Sequence, residues 1–251
     1  MRRSCIGTNG VPLATMRTAS PPPICSRTAH RACLMLLLLA STQRVSAQSP
    51  CAARAIVAEG FTGSAWSVTL PLTIDARSER WRTLARYATR PFADAPYYSY
   101  RVGRIDPNGA GQELEMLHHK LYLQNPSGPI ERFEVTHGYN LPTANVTAPG
   151  RGWQWRFGVG LVIAHPEGRV AGRELGGTAT ALGGGYHIAG ITTQLAAGRR
   201  YALRPGRTQL TASPEVKLTA SWARIVVDSM TLRVPNVALH ALGGFGVRRC
   251  L

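Results

Sequence analysis

The sequence predicts an all-β fold, a closed antiparallel up-and-down β-barrel of about eight strands that crosses a bilayer. Segments of alternating apolar and other residues recur along most of the chain, as in strands with one apolar face. Several are longer than the roughly five or six residues usual in soluble sheets and suit a tilted strand in a membrane. The opposite face is mostly Gly, Ala, Ser and Thr, so it does not look like a surface built for water.

The first 47 residues are predicted to be an N-terminal extension and a secretory signal peptide. They contain six Arg and no Asp or Glu. Residues 32–40 form a short apolar segment after a basic stretch, and Val45-Ser46-Ala47 fits a small-x-small cleavage site. The apolar run is about half the ~20 residues that a spanning helix needs, so we predict cleavage before Gln48 and export.

The segment after cleavage is predicted to hold a short periplasmic lead-in, 48–59, and one barrel, 60–251. Losing the six Arg of the first 47 residues reduces the net charge from +16 to +10. Of the five cysteines, only Cys51 and Cys250 remain, near opposite ends of this segment. In an oxidising compartment the two could form a disulfide, and we treat them as candidates for one.

The predicted strands follow the period-two segments in order. Trp153 to Ile163 is the clearest, with aromatic and aliphatic residues at every second position. Pro71 interrupts the first segment and would require a bulge there, since a closed barrel has no free edge. The predicted segments are 60–75, 97–106, 111–123, 130–146, 152–165, 185–200, 208–227 and 231–249.

The connections between segments alternate in length. The links 76–96 and 166–184 are long, whereas those after the second, fourth and sixth segments are short and rich in Gly and Pro. Long loops on one side and tight turns on the other are typical of membrane barrels. With eight strands, both termini lie on the short-turn side, which places Cys51 and Cys250 in the same compartment.

These features resemble the small bacterial outer-membrane β-barrel proteins, the OmpA/OmpX-like eight-stranded class. The resemblance covers about 60–251 and rests on pattern rather than on a motif, so it predicts architecture better than activity. It implies a location in the bacterial outer membrane after export. The alternative is a soluble lipocalin-like ligand-binding barrel, in which the apolar face points inward.

The stretch EMLHHKLYLQNPSG, 115–128, places two adjacent histidines on a predicted strand. Adjacent side chains on a strand point to opposite faces, so only one of His118 and His119 faces the lumen. Two registers with the next strand remain open, one with Lys120 opposite Glu134 and one with His119 opposite Glu134.

We predict that the lumen contains a polar network rather than a metal or cofactor. Buried charges need partners, and the candidate members alternate with apolar residues in their segments. A zinc site needs three or four converging ligands, which two diverging histidines do not supply, so we predict no metal and no cofactor. The candidate network residues are His118, His119, Lys120, Arg132, Glu134, Arg156, Glu215, Lys217 and His240.

An enzymatic alternative follows from the resemblance, because some small outer-membrane barrels hydrolyse acyl chains of lipid A with a Ser-His-acid group. The weak catalytic candidates are His119, Glu134 and His137. Residue 139, two positions after His137, is a tyrosine and not a serine nucleophile. We therefore favour a structural or interaction role with a plugged polar lumen and leave enzymatic activity open.

The basic charge of the chain suggests an anionic partner. Arginines in loops and rims suit the phosphates of lipopolysaccharide, so outer-membrane lipid and lipopolysaccharide are the predicted partners. No basic helix or aromatic platform points to nucleic acid. We expect a monomer.

Overall fold

The computed structural model describes residues 51–76, 79–94, 96–176, 182–204, 206–227 and 229–251. The predicted extension and signal peptide, 1–47, lie outside these residues. The described chain is built from antiparallel strands. No helix within it is long and apolar enough to cross a membrane.

The described residues form fourteen strands. In order they are β1 (Ala55–Ser67), β2 (Leu70–Ala76), β3 (Glu79–Ala85), β4 (Tyr87–Ala88), β5 (Tyr98–Ile105), β6 (Gly111–Leu123), β7 (Ile130–Pro149), β8 (Gln154–Ala164), β9 (Glu167–Val170), β10 (Arg173–Leu175), β11 (His187–Gly198), β12 (Tyr201–Ala202), β13 (Thr208–Val227) and β14 (Met230–Cys250).

Eight of these strands pair in a ring, in the order β1, β5, β6, β7, β8, β11, β13, β14 and back to β1. A single row of paired residues shows the stagger of the ring. It starts at Trp66 and returns to the same strand at Ile56, through Leu239, Leu218, Leu195, Phe157, Val146, Gln112 and Arg104. Such a displacement along the strand is what tilted strands need to close a sheet. The predicted eight-stranded all-β fold is confirmed.

The first and last described residues, Cys51 and Leu251, lie at one end of the ring, which we call the terminal end, and the opposite end is the loop end. A disulfide joins Cys51 to Cys250 at the terminal end, with their Cα atoms 5.5 Å apart. Five of the other six strands extend the ring at the loop end: β2 and β3 continue from β14, β4 adds to β6, β9 adds to β7, and β10 adds to β9. The sixth, β12, pairs with β13 near the terminal end. The long predicted links, 76–96 and 166–184, thus contain strands of their own.

The first predicted strand needs a correction. The ring strand begins at Ala55, inside the predicted lead-in 48–59, and it ends at Ser67. The remainder of the predicted segment is β2, which lies outside the ring and pairs with β14 only from Thr73 to Ala76. Because Pro71 belongs to β2, the ring strand needs no bulge to accommodate it.

The two sides of β13 exchange their polarity at Trp222. Toward the terminal end, the outward side chains are apolar and include Leu210, Val216 and Leu218, while the inward ones are Glu215, Lys217, Thr219 and Ser221. Beyond Trp222 the inward side chains become apolar, Ala223, Ile225 and Val227, and Arg224 faces outward. Along most of its length the strand is apolar on its outer face and polar inside, as in a membrane barrel. Near the loop end it is apolar inside and carries a charge outside, as in a protein surrounded by water.

The neighbouring strand changes at the same height. Pro235 of β14 pairs with Trp222 of β13. On the loop side of Pro235, the buried side chains are Val234, Leu232 and Met230, and on the other side they include Asn236 and His240. A hydrophobic core thus fills the loop end, where Leu72, Phe133 and Ile225 are almost fully buried.

Candidate functional site: a buried ion network and two clusters at the loop end

Arg101 is the centre of a buried ion network in the terminal half of the ring. Its strand neighbours, Tyr100 and Val102, face outward, so the alternation of β5 directs the guanidinium inward. The side chain has 0% exposure. Its Nη2 lies 2.9 Å from Glu59 Oε2 and its Nη1 lies 2.9 Å from Glu215 Oε2.

The remaining carboxylates lie slightly farther from the same guanidinium. Arg101 Nε is 3.5 Å from Glu113 Oε2, and Arg101 Nη1 is 3.7 Å from Glu115 Oε2. Four carboxylates from three different strands, β1, β6 and β13, thus converge on one arginine. A buried charge is tolerated only with such partners, so Arg101 and these glutamates stabilise one another.

Three further cations complete the network. Arg156 Nε lies 2.8 Å from Glu113 Oε2, Arg200 Nη2 lies 2.7 Å from Glu59 Oε2, and Lys217 Nζ is paired with Glu115. Within this set, four carboxylates face four cations, so the formal charges balance. The members are Glu59, Glu113, Glu115, Glu215, Arg101, Arg156, Arg200 and Lys217.

Neutral polar side chains also donate hydrogen bonds to the Glu115 carboxylate of the network. Ser99 donates to Glu115 Oε1 at 2.6 Å, and the amide nitrogen of Gln194 donates to Glu115 Oε2 at 3.0 Å. Gln194 also donates to Asn145 Oδ1 at 2.6 Å. A Cβ added at Gly158 would lie 1.8 Å from that oxygen, so the glycine makes room for the amides. The network therefore reaches across the ring through β5, β6, β7 and β11.

A layer of aromatic and imidazole rings separates the network from the hydrophobic core. Tyr97 Oη and His240 Nδ1 are 2.6 Å apart, and His240 Nε2 lies 2.9 Å from Thr219 Oγ1. The ring of His119 meets the ring of His240 edge-on, with 5.0 Å between centroids. The hydroxyl of Tyr139 donates to the carbonyl of Val234 at 2.8 Å. The layer thus connects β6, β7, β13 and β14 across the lumen.

The structure places five of the nine candidate network residues inside the ring. Arg156, Glu215 and Lys217 belong to the ion network, and His119 and His240 belong to the ring layer above it. The other four lie elsewhere. His118 stacks on Tyr98, whose ring lies on the outer face, with 4.8 Å between centroids.

Lys120, Arg132 and Glu134 are also remote from the ion network. The ammonium of Lys120 donates to the backbone carbonyl of Ala93 in the β4–β5 link. Arg132 Nη1 lies 2.5 Å from Glu134 Oε1, and the Arg132 side chain is 53% exposed. The pair lies on β7 at the loop end, where β9 adds to the sheet.

The register of the histidine pair differs from both predicted registers. His118 pairs with Asn140 and His119 with Tyr139, whereas Glu134 pairs with Tyr122. The ladder between β6 and β7 shifts between His119 and Leu121, and such an irregularity displaces every later pair. Glu134 is therefore opposite neither His119 nor Lys120.

The sequence analysis missed Glu59, Arg101, Glu113, Glu115 and Arg200. Arg101, Glu113 and Glu115 were inside predicted strands, and a charge on the face opposite an apolar row was the available signal. Glu59 was assigned to the lead-in because the start of β1 was placed too late. Arg200 lies two residues beyond the end of β11 and reaches back to Glu59, which no local pattern indicates.

The catalytic candidates do not assemble as a Ser-His-acid group in the part of the chain that the structure describes. His119 is buried in the ring layer, and Glu134 is paired with Arg132. The recorded side-chain partners of His137 are Glu167 and Thr136, and neither is a serine. Thr136 Oγ1 and Glu167 Oε1 both lie against Nδ1 of His137, so the imidazole does not connect a hydroxyl to an acid through its two nitrogens, as the acyl-hydrolase alternative requires.

Three arginines form a row on the outer face, just beyond Trp222. Arg224 pairs with Arg233, Arg233 pairs with Thr73, and Thr73 pairs with Arg82, so the row crosses β13, β14, β2 and β3. A groove of about 240 Å³ runs beside it, lined by Pro71, Thr73, Arg80, Arg82, Trp222, Arg233 and Pro235. We call the three arginines of the row, together with the residues that line the groove, the arginine groove.

Asp75 is the acidic partner within the arginine groove. It lies 2.5 Å from Arg80 Nε and 2.6 Å from Arg233 Nη1. The hydrogen bond from Arg80 lowers the pKa of the Asp75 carboxyl, and the charges of Arg233 and Arg80 act in the same direction. The carboxylate is therefore ionised at neutral pH and neutralises part of the charge of the groove.

A second cluster at the loop end consists of two histidines and a glutamate. Glu167 Oε1 lies 2.5 Å from His137 Nδ1 and 3.5 Å from His165 Nε2. One nitrogen or oxygen from each of His137, His165 and Glu167 lies within 4.8 Å of the others. We call these three residues the rim histidine cluster. Burial lowers the pKa of His165, which favours its neutral imidazole form.

The fold and its polarity have the pattern of a small membrane-spanning β-barrel. The exposed residues of the ring include Leu114, Val159, Ile191, Leu218 and Leu239, whereas ionised and hydroxyl side chains fill the interior at the same height. A lipocalin-like barrel has the reverse arrangement. Indole rings are exposed near both ends, Trp66 and Trp222 at the loop end and Trp153 and Trp155 at the terminal end, as in the aromatic girdles of membrane barrels.

Comparisons with known proteins add the following. No protein-family model matches the chain, and no curated protein matches it either. Among solved structures, the chain is similar to Neisserial surface protein A, at 10% identity and a TM-score of 0.33, covering 79% of this chain and 97% of that one.

Two further solved structures are similar over comparable lengths. The outer membrane protein OprG from Pseudomonas aeruginosa is 13% identical with a TM-score of 0.39, covering 78% of this chain and 96% of that one. Ail, the attachment invasion locus protein of Yersinia pestis, is 10% identical with a TM-score of 0.31, covering 78% and 98%.

Proposed function

We propose that the chain is an integral outer-membrane β-barrel protein with a structural or interaction role and a plugged lumen. The observation that carries this proposal is the exchange of polarity on β13 at Trp222. A strand that is apolar outside and polar inside over most of its length has lipid as its outer solvent. The reversed pattern beyond Trp222, apolar inside and charged outside, then belongs to the part that leaves the membrane.

The proposed orientation places the terminal end in the periplasm and the loop end outside the cell. Barrels of this type have short periplasmic turns and longer extracellular segments. The turns after β5, β7 and β11 are short, and β2, β3, β9 and β10 all lie at the opposite end. The disulfide between Cys51 and Cys250 then lies in the oxidising periplasm.

Two features support a plugged lumen. The ion network occupies the terminal half with Arg101 at its centre, and the hydrophobic core fills the loop end. An ion that passed through would have to separate buried charge pairs and then enter an apolar core, both of which cost several kcal/mol or more.

Conductance across a planar bilayer tests the plug. We expect the purified protein to give no stepwise current, under conditions in which a water-filled porin gives clear steps. Stepwise current from the protein itself would contradict the plugged lumen, although it would leave the membrane location intact.

Fractionation and heat-modifiable mobility on gels test the membrane location. The protein should be recovered with outer-membrane fragments, and the unboiled protein should migrate differently from the boiled one. Recovery as a soluble periplasmic protein would overturn the proposal.

Lipopolysaccharide is the proposed partner of the arginine groove. The row of Arg224, Arg233 and Arg82 begins directly beyond Trp222, at the height where lipid headgroups meet the girdle. Guanidinium groups bind phosphate through paired hydrogen bonds, and each adds about 1 kcal/mol near an anionic surface.

Binding of lipopolysaccharide to the detergent-purified protein tests this assignment. The variant Arg224→Ser/Arg233→Ser should bind about thirtyfold more weakly, because about 1 kcal/mol is lost per arginine. Arg104→Ser is the matched control, since Arg104 is exposed at the terminal end. Equal binding of native and dephosphorylated lipopolysaccharide would exclude the phosphates as the recognised group.

A further inference from the structure

We propose that the rim histidine cluster binds a divalent transition-metal ion of the zinc class. The sequence alone predicts no metal, because the side chains of His118 and His119 diverge on a strand and His137 stands there only as a weak catalytic candidate. The structure brings it together with two residues that lie far from it in the sequence, and this placement carries the proposal.

The ligand set has the chemistry that zinc and its neighbours bind. Two imidazoles and one carboxylate form a protein set that zinc accepts with a water in the fourth position. Similar sets with open positions also bind other divalent first-row metals, so geometry and availability decide which ion is held. The proposal concerns the metal class rather than one element.

The distances are compatible with binding after small rotations. Zinc bonds of about 2.0–2.1 Å place tetrahedral ligand atoms roughly 3.3 Å apart. Glu167 Oε1 is already 2.5 Å from His137 Nδ1 and 3.5 Å from His165 Nε2. The side chains of His137 and Glu167 are 56% and 26% exposed, so they have room to move and a route for the ion from solvent.

The backbone around the cluster holds the two histidines side by side. His165 follows β8, and its N–H donates to the carbonyl of Gly138 at 3.2 Å. Gly138 has a φ of 122°, a conformation that favours glycine, and it is the residue next to His137. The two imidazole centroids are consequently 5.1 Å apart.

Tyr186 supports the same arrangement from a third segment. Its hydroxyl donates to the carbonyl of His137 at 3.1 Å, and its ring meets the ring of His165 edge-on at 4.9 Å between centroids. Ligands oriented by their surroundings bind metals more tightly than free ones. A bound ion would tie β7 to the start of β9 at the loop end.

Zinc titration of the tag-free protein, purified from outer membranes, tests the proposal. A polyhistidine tag must be absent because it would bind the ion itself. We expect saturable binding of one ion per protein, measured by isothermal titration calorimetry. His137→Asn, His165→Asn and Glu167→Gln should each weaken binding by at least about tenfold, since loss of a ligand exceeds the usual cost of losing an outer-shell partner.

His118→Asn is the matched control, because the His118 imidazole stacks on Tyr98 and hydrogen-bonds to Asn140, and it supplies none of the three proposed ligand atoms. Its zinc binding should equal that of the wild type. Cobalt(II) provides a second readout, since ligation by imidazole should give visible absorption bands that disappear in His165→Asn.

Three outcomes would overturn the proposal. The first is the absence of saturable binding, which would leave the cluster as a hydrogen-bonded link between β7 and β9. The second is binding that the three cluster variants do not change. The third is an equal loss of binding in His118→Asn, because the response would then not depend on the proposed ligands.

Discussion

Leu218 and Val226 project from the same face of β13, on opposite sides of Trp222. Their side chains are 44% and 56% exposed, so accessibility to a probe does not distinguish them. Their surroundings do. Leu218 pairs with the exposed apolar residues Leu239 and Leu195 on the neighbouring strands, whereas Val226 lies beyond the arginine row. In the proposed membrane location, Leu218 is surrounded by lipid and Val226 by water.

This pair gives the first prediction. Leu218→Arg should lower the free energy of unfolding in lipid by about 2–4 kcal/mol, because the charge lies near the middle of the apolar band. Val226→Arg should have little effect, since it introduces the same charge outside that band. Urea titration in lipid vesicles, followed by gel mobility, measures both. Equal midpoints would indicate that water surrounds both residues and would favour the soluble barrel.

Removal of the central cation gives the second prediction. Arg101→Ala leaves four buried carboxylates with three cations and should destabilise the barrel by about 3–5 kcal/mol. Arg104→Ala is the control, because Arg104 lies on the same strand and faces outward. Urea midpoints in vesicles provide the comparison. A variant of Arg101 as stable as the Arg104 variant would mean that the glutamates take up protons or water at little cost.

The disulfide gives the third prediction. The double variant Cys51→Ser/Cys250→Ser should have a free energy of unfolding lower by about 2–5 kcal/mol, because the bond closes nearly the whole barrel segment into a loop. Mass spectrometry of unreduced, alkylated protein checks that the bond exists. Alkylation of both thiols without reduction would contradict the bond, and an unchanged midpoint would indicate that pairing of β1 with β14 suffices.

Asp75 gives the fourth prediction. Asp75→Asn should strengthen binding of lipopolysaccharide by about 1 kcal/mol, since it removes a negative charge from the arginine groove and releases Arg80 and Arg233. The lowered pKa of Asp75 means that the native residue is ionised at neutral pH, so the substitution changes the charge there. Weaker binding would show that Asp75 is needed to position the arginines.

The fold was predictable because the alternation of apolar and polar residues along a strand shows which side chains share a face of the sheet. In β13, Val216 and Leu218 alternate with Glu215 and Lys217, and the predicted range 208–227 equals the observed one. The small and hydroxyl residues of the second face identified it as the interior. The exchange of polarity at Trp222 lies in the same segment, but it can be recognised only when the position of each residue along the barrel axis is known.

The site was only partly predictable because its contacts are distant in sequence. Arg101 meets Glu215 across 114 positions, and alternation gives the face of each side chain but not its partner across the lumen. The histidine pair illustrates the same limit. Strand geometry separated His118 from His119, yet the ladder irregularity after His119 moved Glu134 away from both.

The ion network has a consequence for assembly. If β13 slipped by one residue against its neighbours, Glu215 and Lys217 would face lipid, and Val216 and Leu218 would point at the guanidinium of Arg101. Such a register would bury unpaired charge on both sides of the sheet. The buried charges of the network therefore select the correct strand register during assembly, because a pairing shifted by one residue leaves them without partners.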